Sequence, residues 1–296
     1  MQLIPVGAAV MADRYAYIPS IGLFYLAGEG LNLLWRKKSK FFTSMLLSAL
    51  LIFFSIKTYT RCEVWKSGMS LWNDVISQYQ NVSLAYNSRG VLFDNENKFN
   101  EAFSDYSKAI ELNPRYDKAY NNRGNLLMKG NKFNEAKFDY NKSIALEPNF
   151  FGAYKNRAHL YESINNPDSA FIDYSKAISL DSTVAEIYLY RGIQLQKLNR
   201  NDEALKDYND AARLQPDNPK IYYNRGNLFG MQNKYADAIN DFSLAIKIKN
   251  DYALAYFGRG ITECNAGNKE AGCSDLQNSI KLGFQPAVGA FNNYCQ

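Results

Sequence analysis

The sequence predicts an all-α protein in which six helical hairpins follow a pair of membrane-inserted helices. Two observations lead to this prediction: an arginine recurs every 34 residues from Arg89 to Arg259, and residues 41–56 form an uncharged, largely apolar run. A fixed period of this length is typical of stacked helical units, and a long apolar run is typical of membrane spans. The composition, 47% hydrophobic and 21% charged in 296 residues, excludes general disorder.

The first predicted element is a membrane anchor in residues 1–60. The run FFTSMLLSALLIFFSI lies between Lys40 and Lys57, whose long side chains can reach the lipid headgroups. The stretch from Tyr15 to Trp35 is also mostly apolar. We therefore predict helices over about 15–35 and 41–57, both in contact with membrane lipid. The alternative is a buried core helix, since 16 residues is short for a span.

The basic residues around these helices predict their orientation. Four positive charges lie within residues 36–40, whereas the three that follow the second run are spread over residues 57–66. By the positive-inside rule the short loop lies in the cytoplasm, and everything after residue 57 faces the extracytoplasmic side, a periplasm or lumen. The run begins too late and lacks the small-residue pattern of a cleaved signal peptide, so we expect it to remain attached.

The remaining elements are six repeats, at 83–116, 117–150, 151–184, 185–218, 219–252 and 253–286. A tyrosine precedes each recurring arginine by three residues, a glycine or alanine follows it by one, and an aspartate follows it by sixteen. Apolar or small positions 4, 8 and 11 make one helical stripe and 20, 24 and 27 another, with Gly or Asn in the turn between them. Each repeat is thus a hairpin that needs its neighbour to cover its apolar face.

The ends of the array differ from its middle. Residues 61–82 are expected to be a linker and half-repeat, with Trp72 at an aromatic position. The sixth repeat has Gly272 and Leu276 where the others have alanine and an aromatic residue, and residues 287–296 follow as a C-terminal cap tail.

The arginine and aspartate of each repeat are predicted to form a structural ion pair. Positions 7 and 23 both lie eight residues from position 15, where the hairpin reverses, so they stand level on antiparallel helices. Ligand binding by these residues is the alternative. The predicted pairs are Arg89 with Asp105, Arg123 with Asp139, Arg157 with Asp173, Arg191 with Asp207, Arg225 with Asp241, and Arg259 with Asp275.

The repeat pattern, with a small residue at 8, alanine at 20, an aromatic at 24 and proline at 32 in three copies, resembles the tetratricopeptide repeat (TPR) family. This resemblance implies a superhelical solenoid with a concave groove that binds a protein or peptide partner. An amide offers a donor and an acceptor to a peptide backbone, and the amides here are similar to the asparagine ladder of O-GlcNAc transferases; solvated asparagines are the alternative. The groove candidates are Asn87, Asn121, Asn122, Asn125, Lys155, Asn156, His159, Asn224 and Asn227.

The segment ADRYAYIPSIG at 12–22, together with the apolar runs and WKSGMSLW at 65–72, resembles the end of the membrane domain of multispanning glycosyltransferases with C-terminal TPR arrays. Such enzymes transfer a sugar from a lipid-phosphate donor to protein, using acidic residues in an early loop that does not precede Asp13 here. Two functions follow: a membrane-anchored, non-catalytic interaction module, or the C-terminal part of a membrane protein O-glycosyltransferase whose repeats recruit substrates. A soluble cytosolic co-chaperone scaffold is the third possibility.

The composition argues against other functions. One histidine and four cysteines without a Cys-x-x-Cys pair predict neither a metal site nor a complete catalytic site, and no cofactor is expected. Residues 83–296 carry 26 basic and 25 acidic side chains, which does not favour nucleic acid as a partner. Pairing of Cys264 with Cys273 in an oxidising compartment is left open.

Overall fold

The computed structural model describes residues 28, 29, 32 and 40–296, and every regular element within 40–296 is an α-helix. The predicted all-α architecture of helical hairpins is confirmed. Two compact units divide the chain after Leu146. The first contains α1 (Lys40–Val64), α2 (Gly68–Gln78), α3 (Ser83–Asn95), α4 (Phe99–Leu112), α5 (Asp117–Lys129) and α6 (Phe133–Leu146). The second contains α7 (Phe151–Ser163), α8 (Pro167–Leu180), α9 (Ala185–Lys197), α10 (Asn201–Leu214), α11 (Pro219–Met231), α12 (Tyr235–Ile248), α13 (Ala253–Asn265), α14 (Lys269–Lys281) and α15 (Pro286–Cys295).

In four of the six hairpins, a glycine of the first helix lies against an aromatic ring of the second helix. Tyr140 is 1% exposed, and a Cβ added to Gly124 would lie 2.8 Å from its ring. A Cβ at Gly192 would lie 2.7 Å from the ring of Tyr208. Since real Cβ atoms do not come so close to carbon, the glycine allows the helices to approach until the ring is fully covered.

The turn of each hairpin reverses the chain at position 15 of the repeat. Asparagine occupies this position five times, with φ between 53° and 59°, and Gly267 occupies it once with φ 92°. The left-handed backbone region is unfavourable for most residues with a side chain. Glycine adopts it most readily, and asparagine tolerates it better than most other residues do. This explains part of the asparagine content of the repeats. The five asparagines are Asn97, Asn131, Asn165, Asn199 and Asn233.

The predicted transmembrane helical hairpin is not found. Its first helix, 15–35, lies outside the described residues apart from 28, 29 and 32. Across the part of the chain that the structure describes, no helix combines the length and the apolar character that crossing a bilayer requires. The uncharged run in α1 covers 16 residues, about 24 Å at the α-helical rise, whereas a hydrocarbon core is about 30 Å thick.

The C-terminal helix is tied to the last hairpin by a disulfide. Cys273 of α14 is bonded to Cys295 of α15, with 5.7 Å between their Cα atoms. The pairing of Cys264 with Cys273 left open above is therefore not the one observed, and Cys264 is a free thiol. Sequence spacing did not show that α15 folds back beside α14 and brings its final cysteine to Cys273.

Candidate peptide-binding face

The candidate site is built on the first helix of each repeat. These helices are α3 and α5 in the first unit and α7, α9, α11 and α13 in the second. Positions 5, 6, 9 and 12 of each repeat lie within about two turns of one another on these helices. We call these positions, taken within each unit separately, the first-helix face, and they include all nine predicted groove residues.

The arginines of the repeats lie next to this face in sequence, but each forms an ion pair with an aspartate of its own repeat. Arg123 donates from Nε and Nη2 to the two carboxylate oxygens of Asp139, each at 2.8 Å, and the Asp139 side chain is 1% exposed. Its Nη1 donates to Ser107 Oγ of the preceding repeat at 3.2 Å. The hydrogen bond to Asp139 raises the pKa of the Arg123 guanidinium despite the opposing effect of burial.

The same two-point contact recurs in every repeat. The Nε-to-carboxylate distances lie between 2.6 and 2.8 Å, and the aspartate side chains are between 1% and 9% exposed. A guanidinium held in this way has few donors left for a ligand. The pairs are Arg89–Asp105, Arg123–Asp139, Arg157–Asp173, Arg191–Asp207, Arg225–Asp241 and Arg259–Asp275.

In the first unit, two of the predicted amides contact each other across neighbouring repeats. Asn122 Nδ2 of α5 donates to Asn87 Oδ1 of α3 at 3.1 Å. Asn87 and Asn121 are buried at 7% and 6% exposure. Asn125 accepts a hydrogen bond from the hydroxyl of Tyr140 at 2.8 Å, which leaves its N–H groups as donors.

In the second unit, the face carries an aromatic and acidic cluster around His159. The Tyr174 hydroxyl lies 2.9 Å from His159 Nδ1 and donates to Glu162 Oε2 at 3.0 Å. The ring of Tyr190 meets the imidazole edge to face, with centroids 4.8 Å apart. Burial alone would raise the pKa of Glu162, but hydrogen bonds from His159 and Tyr174 lower it. Lys155 and Asn156 are half-buried on the same helix, α7.

The predicted amides Asn224 and Asn227 lie on α11 of the second unit. Asn224 Nδ2 donates to the Lys220 carbonyl of its own helix at 2.7 Å. Asn227 is half-buried one turn further along α11. A side chain that is hydrogen-bonded to its own helix does not link neighbouring repeats. The amide contacts between predicted groove residues include Asn122 Nδ2 to Asn87 Oδ1 at 3.1 Å and Asn121 Nδ2 to Asn122 Oδ1 at 3.5 Å, both in the first unit.

Sequence reasoning missed the role of the buried tyrosine hydroxyls. At position 24, Tyr140, Tyr174 and Tyr208 each direct the hydroxyl to a residue of the first-helix face; Tyr208 donates to Gln196 Oε1 at 3.0 Å. The sequence did contain a signal for this contact: repeats with tyrosine instead of phenylalanine at position 24 have a polar residue at position 9 or 12. Buried hydroxyls normally find a partner.

Comparison with known families identifies the repeats. Profiles described as tetratricopeptide repeats match residues 83–116, 117–150 and 219–252 and residues 151–183. A profile described as TPR repeat matches residues 194–233. Together these matches cover more than half of the chain.

Curated relatives share only part of their length with this chain. Protein O-mannosyl-transferase Tmtc3 of Drosophila melanogaster is 32% identical over 111 residues, which are 36% of this chain and 12% of that protein. Protein O-mannosyl-transferase TMTC3 of Homo sapiens is 30% identical over 115 residues, 37% of this chain and 12% of that protein. The matched part thus spans about an eighth of these relatives.

Solved structures share the fold. YrrB, described as a TPR protein with an unusual peptide-binding site, aligns with a TM-score of 0.56 and 22% identity over 62% of this chain and 95% of its own. PilF of Pseudomonas aeruginosa aligns with a TM-score of 0.61 and 14% identity over 71% of this chain and 98% of its own.

Proposed function

Because the chain belongs to the tetratricopeptide repeat family, we propose that it is an interaction module that binds a peptide or protein partner on its first-helix face. The observation that carries this proposal is the set of hydrogen-bonded amides and hydroxyls on that face. Asn87 and Asn122 hold each other, and Tyr140 fixes the amide of Asn125. Amides oriented in advance can bind the N–H and C=O groups of an extended peptide at a low entropic cost. We propose no catalytic step for these residues.

The proposal is tested by selection from a library of random displayed peptides on the full-length chain in detergent. The test variant is Asn122→Ala/Asn156→Ala/Asn224→Ala. The matched control is Asn100→Ala/Asn240→Ala/Asn250→Ala, which removes three exposed asparagines outside the first helices. We expect the test variant to bind the selected peptides about tenfold or more weakly, at roughly 1 kcal/mol or less per lost hydrogen bond. Equal binding by both variants contradicts a role for the amides.

We also propose that α1 attaches the chain to a membrane, with the repeats on the extracytoplasmic side. The apolar side chains of α1 are exposed, with Phe41 at 82% and Ile52 at 62%, an arrangement that lipid would stabilise and water would not. The disulfide between Cys273 and Cys295 is compatible with an oxidising compartment. Resistance to carbonate extraction and protection of the repeats from protease in closed vesicles are the expected results. Release by carbonate contradicts the attachment.

A second candidate function is supported by the curated relatives, which are O-mannosyl-transferases. In this alternative the repeats recruit protein substrates for glycosyl transfer by a membrane domain that is not among the described residues. The genomic sequence upstream of Met1 distinguishes the two. An in-frame multispanning segment with acidic residues in an early loop favours the enzyme, and an upstream stop codon with no such segment favours the separate interaction module.

A further inference from the structure

The last hairpin and the C-terminal helix bring three of the four cysteines together. Cys264 of α13, Cys273 of α14 and Cys295 of α15 have sulfur atoms that all lie within 4.8 Å of one another. Two of them are bonded, Cys273 to Cys295, and the third is a partly buried thiol. The free thiol is therefore already close to both sulfurs of the disulfide.

The sixth repeat has the residue that makes room for this third sulfur. Position 20 is alanine in the five preceding repeats and Gly272 in the sixth. A Cβ at Gly272 would collide with the Cys264 sulfur and would lie 2.9 Å from the Cys264 backbone nitrogen. Alanine, the residue usual at this position, would displace the thiol from its present place. The glycine and the cysteine thus form a matched pair.

We propose that these three residues form a thiol–disulfide exchange site, in which Cys264 attacks the Cys273–Cys295 disulfide. The Cys264 thiolate forms a bond to Cys273 Sγ while the bond between Cys273 and Cys295 breaks. The electron pair of the broken bond leaves on Cys295 Sγ, which takes up the proton that Cys264 gave up. The step consumes no oxidant or reductant, since one disulfide and one thiol are present before and after it.

The exchange changes which helices are joined. The new disulfide lies within the hairpin of α13 and α14, whose backbones already approach closely: a Cβ at Gly272 would lie 2.7 Å from the Gly260 carbonyl oxygen. Helix α15 then loses its covalent link. Among its residues only Ala287 is buried, and the Tyr294 hydroxyl donates to Asn265 Oδ1 at 3.1 Å. We expect a helix held by so few contacts to open locally.

Burial raises the pKa of the Cys264 thiol, and the nearby Lys269 opposes this effect while Glu263 adds to it. The thiolate fraction at neutral pH is correspondingly small. Because the thiolate is the attacking species, the exchange belongs to the slow range of uncatalysed disulfide rearrangement, about minutes to hours.

Trypsin places each cysteine on its own peptide, since cleavage after Arg259, Lys269 and Lys281 yields residues 260–269, 270–281 and 282–296. The full-length chain with Cys62→Ser is purified without reductant, incubated for hours, quenched in acid, alkylated and digested. We expect peptide 270–281 to be linked to 282–296 in one fraction and to 260–269 in another, with the alkyl group on Cys295 in the second fraction. In the matched Cys264→Ser control, only the first linkage is expected.

A second variant tests the exchange even if the equilibrium strongly favours the Cys273–Cys295 disulfide over the Cys264–Cys273 disulfide. Cys295→Ser removes the original partner of Cys273, and mild oxidation should then join 260–269 to 270–281. Hydrogen exchange in α15 should be about tenfold or more faster in this variant than in Cys264→Ser. Alkylation of Cys264 and Cys273 in oxidised Cys295→Ser, or a stoichiometric metal ion bound to the three sulfurs, overturns the proposal. Cys264 occupies position 12 of the sixth repeat, but neither result bears on the amides around Asn122 that carry the proposal of peptide binding.

Discussion

Replacing Gln194 with leucine should stabilise the second unit. Position 10 of the repeat is leucine at Leu126, Leu160 and Leu228, which are 6%, 0% and 0% exposed, but it is Gln194 in the fourth repeat. Gln194 is 0% exposed, and neither its Oε1 nor its Nε2 has a hydrogen-bond partner. Thr262, the polar residue at this position in the sixth repeat, donates to the Gly258 carbonyl at 2.7 Å. Gln194 thus carries a desolvation cost that its counterparts avoid.

The magnitude follows from the cost of an unsatisfied buried polar group, about 1–3 kcal/mol. Leucine removes both unpaired atoms, and it is the residue found at the equivalent buried position in Leu160 and Leu228. For a unit of this size, each 1 kcal/mol raises the melting temperature by roughly 2–4 °C. We therefore expect Gln194→Leu to melt about 2–12 °C higher than the parent chain in calorimetry.

The reverse substitution, Leu228→Gln, is the matched control, because it introduces the same amide at an equivalent buried position. It should lower the melting temperature by at least as much as Gln194→Leu raises it. Hydrogen exchange in α9 and α11 assigns each change to its own repeat. An unchanged or lower melting temperature for Gln194→Leu would show that the amide is satisfied in solution and would refute the reasoning.

Three further predictions follow from the same contacts. Cys273→Ser, made together with Cys264→Ser so that no other disulfide can form with Cys295, removes a disulfide that closes a separation of 22 residues. The double variant should cost about 3 kcal/mol of stability in chemical denaturation, and an equal cost after reduction of the parent chain checks the cause. Asp139→Ala leaves the half-buried Arg123 without its partner and should cost about 3 kcal/mol, whereas Glu111→Ala, which breaks an exposed pair with Lys108, should cost under about 1 kcal/mol. Burial raises the pKa of Tyr252 to about 12, whereas the pKa of tyrosine in the unfolded chain is near 10. The unfolded chain therefore loses this proton first, and stability should fall as pH rises from about 10 to 12. Tyr252→Phe should weaken that pH dependence when melting is measured at a series of pH values.

The features that sequence predicted are those set by local periodicity. Each repeat has an arginine, such as Arg123, and an aspartate sixteen residues later, such as Asp139. Because the spacing of residues along a helix is fixed, this constant separation predicts two helices with a turn between them. Asn131 at the turn could be predicted to allow reversal for the same reason. Such features depend on neighbours within one repeat, so one sequence contains the information needed to predict them.

The features that sequence did not predict depend on which partner a side chain selects in three dimensions. Tyr140 packs like an aromatic residue of any kind, and its sequence position did not reveal that its hydroxyl donates to Asn125. Cys295 lies 22 residues from Cys273, and spacing alone could not identify the folded-back helix that joins them. Asn224 was predicted to resemble Asn122, but its amide turns back to its own helix. When a hydrogen-bonding group has several available partners, small free-energy differences determine which partner it binds.

These contacts divide the positions of the repeat into two sets, one that holds the helices together and one that is available for binding a ligand. In each repeat the arginine, the small residue at position 8, the aspartate and the residue at position 24 contact one another or a neighbouring helix, and their identity changes little from copy to copy. Positions 5, 6 and 9 vary between asparagine and residues such as lysine, tyrosine and histidine, and position 12 varies among residues such as aspartate, glutamate and glutamine. Stacking requires the first set to stay uniform, because each hairpin must fit the next. Variation in the second set costs the stack little, so ligand specificity can reside there without loss of fold, as the difference between the amides around Asn122 and the cluster around His159 illustrates.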